Sequence, residues 1–333
     1  MSKKTFTYFL IFGLLLLISP LISFGQSTLD SGFLELSLNP GNPEPLQLIT
    51  VTLKSLSYDL DRSKITWLVN GSEKKTDIGL KEFSVTAGKS GQKTTVRARV
   101  ETPTDGTKQI ETTFVPAVVD LIYEALTYTP PFYHGKALNP NQGTVIVVAL
   151  PELVRTTGEK VPTKNIVYTW RKDGKVVQAA SGLGKNSFTF SGSVPIRDAE
   201  ISVTAAALEG ELSATKQVRI TNVTPKIIFY ENSPLYGLMF NRAITNTVKL
   251  VETELSVVAL PYFFTVSSAA SKNLNYVWSL NGQEVANQDP KNSFTVRLEK
   301  AGVGVADIGL KINNTAQIFQ FTDNHYNINF EKQ

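Results

Sequence analysis

Three tryptophans, the only three in a chain of 333 residues, sit in the same local phrase. The phrases are Ile65-Thr66-Trp67-Leu68-Val69-Asn70-Gly71, Tyr168-Thr169-Trp170-Arg171-Lys172-Asp173-Gly174 and Tyr276-Val277-Trp278-Ser279-Leu280-Asn281-Gly282. In each, an Asn/Asp-Gly pair begins three residues after the Trp. From Trp67 to Trp170 is 103 residues and from Trp170 to Trp278 is 108. A period of about one hundred residues is a domain length, whereas solenoid repeats recur every 20–50 or so. Asn-Gly and Asp-Gly supply the positive φ that a two-residue type I′ hairpin turn needs. The alternation before the turn makes each Trp an inward residue of a strand, filling the space between two sheets.

The repeat extends beyond the Trp. A strand precedes each copy at Leu46–Leu53, Thr144–Leu150 and Glu254–Leu260, and the last two run into the same phrase, Val148-Ala149-Leu150-Pro151 and Val258-Ala259-Leu260-Pro261. Phe83, Phe188 and Phe294 open the strand after each Trp. Further strands are expected at Thr94–Val100, Ile201–Ala207 and Val305–Ile312, and closing strands near Gln109–Val115, Ser213–Ile220 and Ala316–Phe321. About seven short strands per copy, separated by Gly, Pro, Asn and Asp, predict antiparallel β-sandwiches. The abundance of Tyr (11) and Phe (18) against 2 Met agrees with an all-β chain. Proline-containing junctions near Pro116 and Pro225 divide it into 26–116, 117–223 and 224–333. The expected core is Trp67, Trp170, Trp278, Phe83, Phe188 and Phe294.

Residues 1–25 read as a signal peptide. Lys3 and Lys4 precede a mostly apolar run from Phe6 to Phe24, and Ser23-Phe24-Gly25 offers small residues for cleavage before Gln26. The rival reading is an uncleaved anchor, since about 20 apolar residues span a bilayer. In either case the remainder is exported, to the periplasm, the cell surface or beyond, and membrane contact is confined to this segment. The chain's net charge of +4 falls to +2 once Lys3 and Lys4 are removed, and the remaining basic residues are scattered. That excludes the basic, aromatic-interleaved stripe of a nucleic-acid binder. Cysteine is absent, so the core stands without disulfides and thiol chemistry is excluded.

Other chemistry finds little support. The two His, His134 and His325, accompany no Gly-x-Ser-x-Gly elbow. Ala87-Gly88-Lys89-Ser90 ends like a phosphate loop, but Phe83 stands where the first glycine belongs. Asp59-Leu60-Asp61-Arg62-Ser63 has the alternation of a calcium loop, but Lys64 replaces its glycine and Asn70 its closing acid. No cofactor, metal or catalytic residue is expected.

The Trp strand with its Asn/Asp-Gly turn, the Phe strand after it and the cysteine-free core resemble the bacterial immunoglobulin-like and PKD-like domains of exported surface proteins. The resemblance covers 27–333 as three copies. It implies a non-enzymatic envelope protein, a spacer, adhesin or assembly component with a protein or glycan partner. One feature is left over. Copies two and three open with related aromatic stretches, Tyr123-Glu124 followed by Tyr128 and Pro131-Phe132-Tyr133, and Tyr230-Glu231 followed by Pro234-Leu235-Tyr236; copy one has none. Tyr128, Phe132, Tyr133 and Tyr236 therefore either brace each domain against the one before it or form a platform for sugar or peptide.

Overall fold

The computed structural model describes residues 34–210, 212–250, 253–299 and 302–330. The expected targeting segment lies outside them. Among the described residues there is no α-helix; the one helical piece is a 3-10 turn at Thr163–Asn165. The rest is three tandem β-sandwiches.

The first sandwich contains β1 (Leu34–Asn39), β2 (Leu48–Ser55), β3 (Lys64–Val69), β4 (Ser72–Ile78), β5 (Glu82–Thr86), β6 (Thr94–Thr102) and β7 (Gly106–Phe114). Its sheets run β1-β2-β5 and β4-β3-β6-β7. The second contains β8 (Val118–Ala125), β9 (Thr144–Glu152), β10 (Ile166–Lys172), β11 (Lys175–Val176), β12 (Gly182–Leu183), β13 (Ser187–Ser191), β14 (Ala199–Ala207) and β15 (Ser213–Ile220). Here β13-β9-β8 faces β11-β10-β14-β15, with β12 also on β10. The third contains β16 (Lys226–Ser233), β17 (Gly237–Ile244), β18 (Thr247–Leu250), β19 (Glu254–Tyr262), β20 (Leu274–Leu280), β21 (Gln283–Val285), β22 (Ser293–Arg297), β23 (Gly304–Asn314) and β24 (Phe321–Phe330). Its sheets are β17-β16-β19-β22 and β18-β24-β23-β20-β21. Among the described strands the pairing is antiparallel apart from β18, which runs parallel to β24.

By contact the chain forms two compact units. One is the described part of Met1–Gly41 with Thr50–Ser84 and Thr94–Phe114; the other is Asn42–Ile49, Val85–Lys93 and the described part of Val115–Gln333.

The three Trp phrases build one device three times. Asn70, Asp173 and Asn281 adopt φ of 50°, 51° and 49°, and Gly71, Gly174 and Gly282 follow at 80°, 76° and 78°. These are the paired positive angles of a type I′ turn. The turn residue also clamps the neighbouring strand. Its Oδ1 accepts the backbone N–H of Thr95, Glu200 or Asp307 at 2.9, 3.1 and 2.9 Å. Its own N–H donates to the carbonyl of that same residue at 2.9, 2.8 and 2.8 Å. Trp67, Trp170 and Trp278 are fully buried. Each indole N–H donates at 2.9 Å to a carbonyl of the facing layer, that of Leu80, Lys185 or Lys291. The ring thus contributes apolar area while its one polar atom stays satisfied.

Phe188 and Phe294 are buried beside their Trp, with centroids at 5.8 and 5.0 Å. Phe83 stacks on Trp67 at 5.5 Å and 14°, but it is only half-buried. The third copy also departs from expectation near its end. Ala316–Gln320 is a turn, and the closing strand is β24, which begins at Phe321. Asn314 Oδ1 accepts the N–H of Ala316 at 3.0 Å, and its carbonyl accepts that of Gln317 at 3.2 Å, which closes the turn between β23 and β24.

Candidate functional site

A cluster of aromatic and amide side chains lies where the second and third sandwiches meet, inside the larger compact unit. It is built from the connection between β8 and β9, residues 126–143. Tyr128 donates its N–H to the carbonyl of Phe264 at 2.8 Å, and Phe263 donates back to the carbonyl of Tyr128 at 2.9 Å. These two hydrogen bonds tie the connection to the segment that follows β19.

The aromatic rings gather around that backbone tie. Tyr133 meets Tyr262 and Phe263 edge-on, at 5.8 and 5.7 Å. Phe132 meets Phe240 of β17 at 5.5 Å, also edge-on, and Phe240 in turn meets Tyr230 at 5.6 Å. The hydroxyls of Tyr230 and Tyr262 lie 2.9 Å apart within the cluster. Burial pushes the Tyr262 phenol well above its ordinary value, and its hydrogen bond with Tyr230 pushes it further; burial raises Tyr128 too. These phenols are therefore neutral hydrogen-bonding groups at pH 7. Phe132 and Phe263 hold φ of +66° and +65°, the left-handed region that bulky residues rarely occupy. Strain of this kind persists where surrounding contacts over-determine it.

A second seam is polar. Gln320, fully buried, uses its whole amide. Its Nε2 donates to the carbonyl of Asn141 at 2.8 Å and to Thr265 Oγ1 at 2.7 Å. Its Oε1 accepts from the N–H of Thr265 at 2.9 Å and from Asn314 Nδ2 at 3.1 Å. Gln142 Oε1 accepts the N–H of Phe319 at 3.1 Å. At the covalent linker, Asn139 accepts the N–H of Val223 on its carbonyl and donates Nδ2 to Asn222 Oδ1, both at 2.9 Å.

The expected direction of the aromatic brace needs correcting. Tyr128, Phe132 and Tyr133 face the sandwich that follows them, not the one that precedes them. Tyr128 and Tyr133 are half-buried against it, while Phe132 keeps most of its ring exposed. Tyr236 joins no junction. It sits on the exposed tip between β16 and β17, where Ser233 Oγ accepts the N–H groups of Leu235 and Tyr236 at 3.3 Å each. The members that sequence reading missed are Tyr262, Phe263, Asn139 and Gln320, while Tyr230 stands in the aromatic stretch that it singled out.

His134 and His325 are exposed. In the calcium-like loop, Asp59 pairs with Arg62 at 3.5 Å and Asp61 with Lys81 at 2.9 Å. Among the described residues, no three His, Asp or Glu side chains converge as metal ligands would.

No protein-family model matches the chain, and no curated protein does. Among solved structures it is similar to the fibronectin(III)-like modules of Clostridium thermocellum CbhA, at 14% identity and TM-score 0.27, over 56% of this chain and 94% of that one. It is also similar to the central fibronectin-III array of RIM-binding protein, at 13% identity and TM-score 0.30, over 90% and 96%. A third is the Bacteroides ovatus protein SGBP-B of a mixed-linkage glucan utilization locus, solved with a heptasaccharide, at 14% identity and TM-score 0.21, over 87% and 65%. Superpositions this loose carry no argument for this chain, whose fold rests on its own sheets.

Proposed function

We propose that the chain is a non-enzymatic, exported envelope protein of immunoglobulin-like and PKD-like modules, acting as a spacer, adhesin or assembly component on a bacterial surface. The observation that carries this reading is the junction. Its rings and amides are used to hold one module against the next, and no nucleophile, base and oxyanion donor converge there. The apolar N-terminal run motivates export. The test is cell fractionation with intact-mass analysis. The expected product begins near Gln26 and is degraded by protease added to whole cells. Full-length chain recovered from the cytoplasm, protected from protease, would overturn export. Turnover by the purified chain on a broad hydrolase panel would overturn the non-enzymatic reading.

A second reading is favoured by Phe132, an exposed ring held out on strained backbone. It makes the aromatic segment a platform for glycan or peptide. Binding on a glycan or peptide array that Phe132→Ala abolishes would support it; arrays without signal would remove it.

A further inference from the structure

The three Trp-linked turns are one structure written with two residue types. Asn70-Gly71 and Asn281-Gly282 are the two Asn-Gly pairs of the chain, and Asp173-Gly174 holds the same place in the second sandwich. The positive backbone angles agree closely across all three. The clamp agrees as well. Asp173 Oδ1 accepts the N–H of Glu200 at 3.1 Å, where Asn70 and Asn281 accept those of Thr95 and Asp307 at 2.9 Å. A carboxylate oxygen therefore serves in this turn as well as an amide oxygen does. The charge that it brings is met by Arg197, 3.4 Å from Asp173.

Asn-Gly is also the pair in which a side-chain amide reacts most readily with its own backbone, because no Cβ shields the glycine nitrogen. Both pairs are exposed to water. A Cβ built on Gly71 or Gly282 would meet nothing within 4 Å, so the approach is open. The Gly nitrogen attacks Asn Cγ and a cyclic imide forms. The bond from Cγ to Nδ2 breaks, and the proton of the Gly amide leaves with that nitrogen as ammonia. Water then opens the imide. Breaking the bond from the Gly nitrogen to Cγ leaves aspartate. Breaking its bond to the main-chain carbonyl carbon leaves isoaspartate, with Cβ inserted into the main chain.

We infer that Asn70 and Asn281 are sites of spontaneous deamidation, and that the fold accepts the aspartyl product and excludes the isoaspartyl one. The accepted product is the arrangement that Asp173 already displays. Both side chains are exposed, so the new carboxylate stays solvated. The excluded product lengthens a two-residue loop by a main-chain atom. Its side-chain oxygen and its N–H then no longer reach a single residue of the neighbouring strand together. The clamp also sets the pace. It holds both the N–H and Oδ1 of each Asn, so Cγ turns toward the Gly nitrogen only when the tip opens, and such local opening costs far less than global unfolding. The inference is independent of export, since the only co-reactant is water.

Peptide mapping by mass spectrometry tests it, on the full chain aged at mildly alkaline pH in a non-ionic detergent. Unfolded in guanidinium chloride, the chain is expected to convert Asn70 and Asn281 before any other Asn. Folded, it should convert the same two, about tenfold or more slowly, because the reaction waits on turn opening. Asp173→Asn should add a third site of similar pace. Asn70→Asp and Asn281→Asp should keep wild-type hydrogen-exchange protection at the Thr95 and Asp307 amides, whereas aged chain enriched in isoaspartate should lose it there. The proposal is overturned by absence of conversion at Asn70 or Asn281 after about a hundred half-lives of the unfolded chain. Equal pace in the folded and unfolded chain, an Asp173→Asn turn that does not convert, lost protection in either Asp variant, or full protection in the isoaspartyl chain would each overturn it too.

Discussion

Pro131-Phe132-Tyr133 and Pro234-Leu235-Tyr236 spell nearly the same phrase, and the chain places them in opposite settings. The first lies across a neighbouring sheet, with Tyr133 among Tyr262 and Phe263. The second forms the tip of a hairpin in solvent. Their own residues do not decide the outcome. The difference is made by the surface within reach: Tyr230, Leu260, Tyr262 and Phe263 form an outer apolar face for Tyr133, and Tyr236 has none in its own chain. A covering motif is thus interpretable only together with the face that it covers.

That comparison presumes a shared interior, and the largest expected effect tests the presumption. Trp170→Ala and Trp278→Ala should each cost about 3–5 kcal/mol in denaturant unfolding, because a full indole and its hydrogen bond are lost from a closed core. A loss under about 1 kcal/mol in either would break the equivalence of the two sandwiches.

Alkaline titration comes next, because three phenols act together. Burial raises Tyr262, Tyr276 and Tyr326 of the third sandwich, against Tyr168 in the core of the second and Tyr128 on its connecting loop. With the folded value raised, the stabilising contribution is complete below the ordinary value of 10.0 and is lost as pH climbs from there through the folded value. The third sandwich should therefore melt first above pH 10, seen as cooperative tyrosinate absorbance with loss of amide protection. Equal alkaline sensitivity of the two sandwiches would contradict this.

The phrases themselves give a smaller contrast. Tyr133→Ala should cost about 2 kcal/mol of thermal or denaturant stability, while Tyr236→Ala in dilute solution should stay within about 0.5 kcal/mol. Equal costs would mean that the tip is engaged within its own chain.

The smallest contrast lies beside the tryptophans. The Tyr276 hydroxyl donates to the Ala269 carbonyl at 2.7 Å, whereas the buried Tyr168 hydroxyl has no hydrogen-bond partner. Tyr276→Phe should cost about 1 kcal/mol and Tyr168→Phe should be neutral or mildly stabilising, because the latter removes an unsatisfied polar atom.

The interior was legible in the sequence because local chemistry repeats there. A Trp, a positive-φ pair and a following Phe strand need only their own hundred residues. The junction was not, because its parts come from separate loops. Nothing local marks Gln320 as the amide that meets Asn141 and Thr265, or Phe263 and Phe264 as the backbone partners of Tyr128. Aligning Tyr123-Glu124 with Tyr230-Glu231 by sequence is also one residue out of structural register, since Ile122 is the true counterpart of Tyr230. In a strand one residue exchanges faces. Tyr123 accordingly packs toward the core of the second sandwich, and Tyr230 faces out into the junction cluster.

The loop that carries Tyr133 is synthesised well before the surface that receives it. Tyr262 and Phe263 emerge about 130 residues later, on the order of ten seconds at 5–20 residues per second. Gln320, which seals the polar seam, emerges later still. Through that interval the second sandwich can complete its core around Trp170, and its longest connection has only its own module to lie on, through contacts such as Lys136 over the Tyr123 ring. The left-handed Phe132 backbone has no contacts yet to hold it in place. The second module therefore finishes its outer shape only when the third arrives, and a stalled chain of intermediate length would present an aromatic loop to whatever is nearest.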